Sequence, residues 1–407
     1  MCTPNTKRAM IPPRLVLALF LSLQALFVVD AFTFTPSSPT TTITKGTSLF
    51  SSSSSSPPQA ASKSKSKQQE QLIERAKEID PTLSAPDSDL GLGSYCTAGW
   101  SNRLGTVLTP LAVPGVYGAE RPFYWNKIDV GGRMAVIELP KKDTTNTAKP
   151  DLFIHSPVNL DAALKIALEQ IGTVKHIVSP NYEHVKYAKM WNDAYPDANM
   201  WACPGLMERE PEVSWAGEIP FSCRPPSFYT SDSSSSSEPV DGMWDWDIIQ
   251  PFHLDTELNP FTNRPFFNEV VFFHTPSKTL LTTDVYWNYP SGDGVPNSHY
   301  RPFESDSDKR DDDNEKFSWE LAPSVKKIPF GTKLWKIGMD KVYKPFYMNL
   351  MIKDNRREEF EKCASFISGI SSSGSPCWPI ETVVPAHGDV IRGPKFVRAI
   401  MKDFFNL

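Results

Sequence analysis

The spacing of apolar residues predicts short buried strands that alternate with amphipathic helices. Apolar runs at 134–139, 152–155 and 174–178 are typical of buried strands. Between the last two runs, apolar residues at 160, 163, 164, 166, 167 and 171 recur at the spacing of one helix face. A strand, a helix and a strand within about 27 residues predict a βαβ unit with two parallel strands.

The rest of the chain continues this alternation. Further strands are predicted at 200–202, 248–252, 269–274, 279–283 and 382–384. Helices are predicted at 69–79, 184–195, 333–351, 356–370 and 394–405. A serine-rich loop at 231–237 and an acidic loop at 305–316 interrupt the pattern. Two successive mixed α/β halves of this kind are compatible with a four-layer αββα sandwich that carries loop insertions.

The first 69 residues have the composition of a targeting sequence. Lys7, Arg8 and Arg14 precede an apolar run at 15–29, and Ala31 follows, which is typical of a signal peptide. The apolar run is short for a membrane span, which needs about 20 residues, and a signal anchor is the alternative. From 32 to 69 the chain has no acidic residue and many serines, as transit peptides do.

A signal peptide followed by a transit peptide that begins with Phe32 resembles the two-part plastid presequence of diatoms and related algae. The resemblance implies a plastid protein with no stable membrane span in its mature form. The alternative is a secreted protein with a disordered leader. The predicted boundaries are a signal peptide at 1–31, a transit peptide at 32–69, an irregular N-terminal extension at 70–122 and the main domain at 123–407.

Charge is unevenly distributed along the chain. The formal net charge is −5, but residues 1–69 hold seven Lys or Arg and one Asp, a charge of +6, which leaves −11 for the remainder. An acidic body argues against nucleic acid as a partner, because nonspecific binding to phosphates needs a basic surface. The six cysteines show no CxxC spacing, so neither a zinc ribbon nor a thioredoxin-type motif is indicated.

Five side chains with metal-ligand chemistry lie at or just after the ends of predicted strands. They are Glu183, His184, His253, Asp284 and His387. Imidazole and carboxylate groups bind divalent ions, and strand ends of an α/β sheet meet at one edge. Each residue also has a structural alternative as a helix cap or a turn residue.

At this point the chain resembles the metallo-β-lactamase superfamily, and more closely an uncharacterised family of plants, algae and cyanobacteria thought to share that fold. The resemblance covers roughly residues 120 to 407. It is carried by residues 133–139, 152–158, 175–191, 195–196, 201–206, 281–284 and 384–389. The family has no established activity, so the resemblance implies the fold more firmly than the function.

The resemblance also implies which metal ligands remain. The superfamily loop motif is His-x-His-x-Asp-His, and Ser179 and Asn181 stand at its first two ligand positions. One metal position, which would use those two residues with His253 and Asp284, is therefore damaged. The other would use Glu183, His184, Asp284 and His387, all of which keep ligand chemistry. The expectation is at most one divalent ion, namely Zn, Fe or Mn. His155 stands where the superfamily usually has an aspartate.

These observations leave three functional hypotheses open. The first is a single-metal, hydrolase-like enzyme that acts on an unidentified small molecule, with Glu183 and Asp284 as catalytic carboxylates. The second is a catalytically inactive fold that serves as a binding or assembly module for a plastid protein partner. The third is a redox or oxygen-handling metal protein, which nothing in the sequence specifically supports.

Overall fold

A computed structural model of the protein describes residues 108–111, 115–125, 128–140, 149–229, 238–289, 330–370 and 376–407. Several sequence-based predictions fall outside these residues. They are the presequence at 1–69, the helix at 69–79, the extension as far as residue 107, the serine-rich loop at 231–237 and the acidic loop at 305–316.

The described residues contain two large sheets and one two-stranded ribbon. Seven strands form the first sheet in the order β1-β2-β5-β6-β7-β8-β9, and five form the second in the order β10-β11-β12-β13-β14. In chain order the strands are β1 (Thr109–Pro110), β2 (Val116–Arg121), β3 (Tyr124–Trp125), β4 (Ile128–Asp129), β5 (Gly132–Glu138), β6 (Asp151–His155), β7 (Thr173–Ser179), β8 (Asn199–Ala202), β9 (Trp215–Glu218), β10 (Ile249–His253), β11 (Val270–His274), β12 (Thr279–Thr282), β13 (Thr382–Pro385) and β14 (Ile391–Arg392).

The helices of the described residues lie between and after these strands. They are α1 (Ala162–Ile171), α2 (Ala188–Ala194), α3 (Leu206–Arg209), α4 (Phe330–Gly338), α5 (Arg357–Ile367) and α6 (Pro394–Phe405). Two π-helical turns, Met339–Tyr343 and Tyr347–Met351, continue α4 through a short α-helical piece at Lys344–Phe346. Short 3-10 helices are formed by Pro226–Phe228 and Asp354–Arg356.

The predicted βαβ unit is present in the first sheet. β6 and β7 pair in parallel, and α1 connects them. The Asp161 side chain caps α1 by accepting a hydrogen bond from the Leu164 N–H at 2.8 Å. The helix ends at Gly172, where the backbone is extended. A larger residue would not fit, because a Cβ there would lie 2.4 Å from the Leu152 side chain and 2.6 Å from the Pro150 carbonyl oxygen. The close approach seats α1 directly against the sheet.

The layers follow the αββα order that the sequence predicts. Apolar residues of both sheets meet in one buried cluster that includes Phe153, Val178, Phe272 and Leu281. On the outer face of the first sheet, side chains of α1 and α2 bury a second cluster. The outer face of the second sheet is covered from α5, since the Phe366 ring stacks on Phe252 at a centroid distance of 5.4 Å. Helices therefore enclose two sheets packed face to face.

Some elements differ from the prediction. The helix predicted at 184–195 begins only at Ala188, because the preceding residues form turns. The helix predicted at 333–351 contains π-helical turns, which are often found at functional sites. β2 and β9 were not predicted, and β2 belongs to the first sheet although it falls within the segment assigned to the extension. Within the described ranges, no helix has the length and apolar character required to cross a bilayer.

Candidate metal centre

Three of the predicted ligands converge where the two sheets meet. β12 and β13 run in parallel, with Thr282 opposite Pro385, so Asp284 and His387 leave neighbouring strands at the same edge. His184 follows β7 of the other sheet. One ligand atom from each of His184, Asp284 and His387 lies within 4.8 Å of the other two. We call these three residues the imidazole–carboxylate cluster.

The atoms of this cluster that face one another are the ones that bind metals. Asp284 Oδ2 lies 3.2 Å from His184 Nε2, and Asp284 Oδ1 lies 3.6 Å from His387 Nε2. The two Nε2 atoms are 3.2 Å apart. The side chains are only 13% exposed for the histidines and 17% for Asp284. Two imidazole nitrogens and a carboxylate therefore share a small, mostly buried space.

The other ring nitrogens fix the orientation of the two imidazoles. His387 Nδ1 lies 2.7 Å from the Gly131 carbonyl oxygen, and His184 Nδ1 lies 2.6 Å from Ser156 Oγ. A carbonyl oxygen can only accept, so His387 Nδ1 carries the hydrogen and its Nε2 keeps a lone pair. Such outer partners are what orient metal-binding histidines in proteins. Gly131 and Ser156 were not singled out from the sequence.

A tight turn brings His387 into place. Gly388 has φ +90°, and a Cβ there would lie 2.2 Å from the Asn288 carbonyl group. The Asn288 N–H donates to the His387 carbonyl at 3.0 Å, and the Asp389 N–H donates to the Asn288 carbonyl at 2.8 Å. Only glycine fits this close crossing of two backbones. The glycine after His387 is thus a structural requirement of the site.

The electrostatics of the cluster keep Asp284 ionised. Burial would raise its pKa, but His184, His387 and the hydrogen bond from Asn181 lower the pKa of Asp284 to about 2. Burial would lower the pKa of His184, but the Asp284 carboxylate raises it above the ordinary value. Burial lowers the pKa of His387 to about 4. The ionised Asp284 carboxylate thus faces a neutral His387 imidazole and a His184 imidazole on which it stabilises a proton.

A second group of polar residues surrounds Asp284 from the other side. Asn181 Nδ2 lies 2.7 Å from Asp284 Oδ2, 2.9 Å from Thr283 Oγ1 and 3.4 Å from Glu269 Oε2. Asn181 Oδ1 accepts from the N–H groups of Glu183 and His184 at 2.9 and 2.8 Å. These two bonds hold the turns that precede α2. Asn181 therefore links the loop that carries His184 to Asp284.

Glu269, which is fully buried, anchors the Asp284 loop. Its Oε1 accepts from the Thr283 N–H at 2.6 Å, and its Oε2 accepts from the N–H groups of Asp284 and Val285 at 2.7 and 2.8 Å. Burial and the Asp284 charge raise the pKa of Glu269 to about 7. The apolar pattern predicts Glu269 only as part of a strand and does not indicate this role. An acidic residue at the head of the apolar run 269–274 was the available signal.

A comparison with protein families finds similarity over a stretch that contains His184 and Asp284 and ends before His387. A family model described as "Domain of unknown function (DUF4336)" matches residues 118–307. No curated protein matches the chain.

Solved structures with similarity to the chain have low sequence identity. The DIM-1 metallo-β-lactamase exposed to ceftazidime is 11% identical over 73% of this chain and 98% of its own, with a TM-score of 0.35. The mono-zinc form of the metallo-β-lactamase FIM-1 from Pseudomonas aeruginosa is 10% identical over 73% and 94%, with a TM-score of 0.32. The metal-soaked Flv1 flavodiiron core from Synechocystis sp. PCC6803 is 11% identical over 74% and 60%, with a TM-score of 0.39.

Two predicted ligands are not members of the cluster. The Glu183 side chain is exposed, although burial of its carboxyl and the nearby Asp284 charge raise its pKa. His253 is fully buried, and both of its ring nitrogens have partners. Its Nδ1 accepts from the Ser222 N–H at 2.9 Å, and its Nε2 lies 2.9 Å from Asn268 Oδ1. His253 therefore has no lone pair left for an ion in this arrangement.

Two further polar side chains near the loop are buried without a hydrogen-bond partner among the described residues. They are Ser179, through Oγ, and His155, through Nε2. The His155 ring packs edge-on against Phe272 at a centroid distance of 5.4 Å. Burial, with a smaller contribution from His184, lowers the pKa of His155 to about 3, so this imidazole is neutral. Neither residue belongs to the cluster.

Proposed function

We propose that the protein is a mononuclear metal-dependent, hydrolase-like enzyme whose ion is held by His184, Asp284 and His387. The observation that carries this proposal is the convergence of two imidazole nitrogens and one carboxylate within 4.8 Å. Nothing else in the described part of the chain brings three such side chains together.

The donor set suits a divalent transition metal. Two imidazoles and a carboxylate are the ligands of many catalytic zinc sites and also of mononuclear iron(II) sites. Three protein ligands leave coordination positions for water and substrate, as catalytic sites require. When bound, such an ion acts as a Lewis acid and lowers the pKa of water toward about 7. Zinc, iron and manganese all remain candidates for the ion.

The surrounding residues have separate tasks in this proposal. Ser156 and the Gly131 carbonyl orient the imidazoles, and Asn181 and Glu269 hold Asp284. Glu183 is the carboxylate best placed to accept a proton from water, because it is exposed beside the cluster and its pKa is raised. The substrate class that we propose is an ester or a thioester, with phosphoesters as the alternative.

A single ion is proposed because the amide of Asn181 points N–H groups toward Asp284. The donor-to-acceptor distance of 2.7 Å shows that the amide nitrogen, which has no lone pair for an ion, lies against the carboxylate. Ser179 and His253 contribute no ligand to a neighbouring position either. A two-metal site would therefore need three residues to change their chemistry or their bonding.

Metal analysis of the purified full chain tests the proposal. The wild type should hold about one ion per chain, and His184→Ala and His387→Ala should each hold close to none. His274→Ala is the matched control, because His274 lies in β11 and bonds Ser277 rather than the cluster. Ester, thioester and phosphoester substrates should then be screened with and without a chelator.

Equal metal content in the wild type and both cluster variants would overturn the metal site. Absence of any chelator-sensitive activity in a chain that does hold the ion would favour a binding or assembly module.

We also propose a plastid location, which the two-part presequence supports. A fluorescent fusion of the full chain in a diatom should accumulate in the plastid. Phe32→Ala should leave the fusion outside the plastid while still in the secretory route. Secretion of the wild-type fusion to the medium would contradict this location.

A further inference from the structure

A cavity of about 510 Å³ opens beside the loop that carries His184. It lies between the segment after β8, the end of β9 and the segment before β11. Its walls include Tyr182, Gly205, Glu218, Ile219, Val240 and Asn268. The volume is in the range of cavities that hold small organic molecules.

The cavity and the imidazole–carboxylate cluster share two pieces of backbone. Tyr182 follows Asn181, whose amide bonds Asp284, and lies two residues before His184. Asn268 precedes Glu269, whose carboxylate accepts from the Asp284 N–H. Two residues of the cavity wall are therefore sequence neighbours of the side chains that hold Asp284.

The wall formed by Tyr182 is rigid. Its hydroxyl donates to the Pro204 carbonyl at 3.1 Å and accepts from Asn268 Nδ2 at 3.1 Å. The Arg209 guanidinium lies over the ring, 3.9 Å from its centroid. Gly205 has φ +75°, and a Cβ there would lie 2.9 Å from the Tyr182 hydroxyl oxygen. The aromatic wall is thus preorganised before any ligand enters.

The lining selects for a neutral, apolar group. Of the side chains that the structure describes around the cavity, Glu218 is the only charged one, and its sign disfavours an anion. Proline, isoleucine, phenylalanine and valine side chains form most of the remaining wall. Hydrophobic and aromatic walls with few polar groups are typical of sites for small organic ligands.

A second cavity in the described part of the chain has a different chemical character. A space of about 320 Å³ is lined by Arg224, Asp255 and Arg356. Arg224 pairs with the Asp255 carboxylate at 2.8 Å, and Arg356 donates to the Asp255 carbonyl at 2.6 Å. Glu359 adds a further carboxylate to the lining. Four charged side chains therefore line that cavity, whereas one lines the cavity beside Tyr182.

We infer that the cavity beside Tyr182 binds a neutral aromatic or acyl group of the substrate. This inference rests on the proposed function, because the cavity is taken as the site for the part of the substrate that does not react. It favours esters or thioesters with a sizeable apolar portion over small phosphoesters. The cavity is the specificity site, and the imidazole–carboxylate cluster is the reaction site.

Binding of a neutral fluorescent probe, N-phenyl-1-naphthylamine, to the full chain tests the inference without the need for activity. The wild type should bind one probe molecule with a dissociation constant of about micromolar. Val240→Trp, at the exposed rim, fills the cavity with a larger side chain and should weaken binding about tenfold or more. Met190→Trp, exposed on α2 away from the cavity, is the matched control and should bind as the wild type does.

The charge of Glu218 gives a second readout. The anionic analogue 1-anilinonaphthalene-8-sulfonate should bind more weakly than the neutral probe to the wild type. Glu218→Gln should narrow that difference several-fold, because it removes the charge and keeps an oxygen that can accept from the Met207 N–H. An unchanged preference would contradict the assigned lining.

The inference fails if the wild type shows no saturable binding, or if Val240→Trp binds like the wild type. Metal content separates this failure from failure of the proposed function. Val240→Trp should keep the wild-type metal content, so lost probe binding in a metal-loaded chain is a property of the cavity. If the wild type binds the probe but holds no metal, the cavity is a binding site and the proposed metal-dependent enzyme is contradicted.

Discussion

Two groups of residues flank Asp284, one of imidazoles and one built around an amide. On the imidazole side, His184 and His387 turn Nε2 atoms toward the carboxylate and toward each other. On the amide side, Asn181 donates N–H groups to Asp284, Thr283 and Glu269. On one side, groups that can bind a metal face one another, and on the other side N–H donors face oxygen acceptors.

The loss of metal ligands and the loss of a metal site are separate events in this protein. Serine and asparagine at the first two motif positions look like erosion in the sequence. In the structure, Asn181 holds the His184 loop through two backbone hydrogen bonds and holds Asp284 through a third. The amide side has become a scaffold, and the imidazole side keeps the ligand chemistry.

Among the predicted changes, removal of the Glu269 carboxylate should lower the free energy of unfolding the most. Glu269 belongs to the amide side of Asp284, where it accepts from the backbone of the Asp284 loop. Glu269→Ala leaves the N–H groups of Thr283, Asp284 and Val285 without their buried acceptor. An unsatisfied buried group costs about 1–3 kcal/mol, so unfolding by urea should lose at least about 3 kcal/mol. Glu381→Ala, which breaks an exposed ion pair with Lys278, is the control and should change stability by less than about 0.5 kcal/mol. Equal stability of the two variants would show that Glu269 does not anchor the loop.

Asn181→Asp tests whether the amide side depends on donation or only on acceptance. The carboxylate keeps an oxygen for the N–H groups of Glu183 and His184, but it places a negative charge against Asp284 and Glu269. We expect a loss of about 2 kcal/mol in the metal-free chain, since like charges in a buried cluster repel. Bound metal should recover part of this loss by compensating the added charge. A variant as stable as the wild type without metal would mean that the amide donors contribute nothing.

The sequence predicted the fold where apolar patterning was local. β5, β6, β7, β11, β12 and β13 all fall on predicted strands, and the βαβ unit needs only the 152–178 pattern. β2 and β9 were missed because glycine and charged residues interrupt their apolar pattern, and their pairing is set by neighbours in the sheet. The helix predicted from His184 begins later because Asn181 Oδ1 holds the turns before it, which no periodicity reveals.

The candidate site was predictable as far as strand ends and ligand types allow. Asp284 and His387 come together because β12 and β13 end side by side in the second sheet, and the loop after β7 of the first sheet brings His184 against them. His253 also ends a strand, but the Ser222 N–H and the Asn268 side chain occupy its nitrogens. Ser156, Gly131 and Glu269 support the cluster from positions 28, 256 and 15 residues away from their partners, and sequence spacing carries no signal for such contacts.

Metal affinity should depend on pH, because a proton and a metal compete for His184 on the imidazole side. Burial opposes protonation of His184, but Asp284 raises its pKa above the ordinary 6.5, so the metal-free folded chain retains a proton that the unfolded chain releases. The stability that this proton contributes is fully present below about 6.5 and is lost as pH rises through the raised pKa. A metal competes for the same lone pair, so affinity should rise up to about tenfold per pH unit over that window and then level off. Titration with zinc between about pH 6 and pH 9 measures this, and a flat profile would remove His184 from the ligand set.

The smallest expected effect concerns the hydroxyl that orients His184. Ser156 Oγ lies 2.6 Å from His184 Nδ1, and its removal leaves the ring free to turn without removing a ligand. Loss of such an outer partner weakens metal binding by about 10–100-fold in other proteins. The partial exposure of His184 places this case at the lower end, because water can replace the hydroxyl.

Two variants separate the hydroxyl from the backbone. Ser156 has φ 56°, so an alanine there leaves the left-handed backbone strain, while a glycine relieves it. Ser156→Ala and Ser156→Gly should therefore weaken zinc binding to a similar extent, measured by competition with a chromophoric chelator. A loss of zinc affinity confined to the alanine variant would assign the effect to backbone strain. Wild-type affinity in both variants would mean that the His184 ring keeps its orientation without the Ser156 hydroxyl.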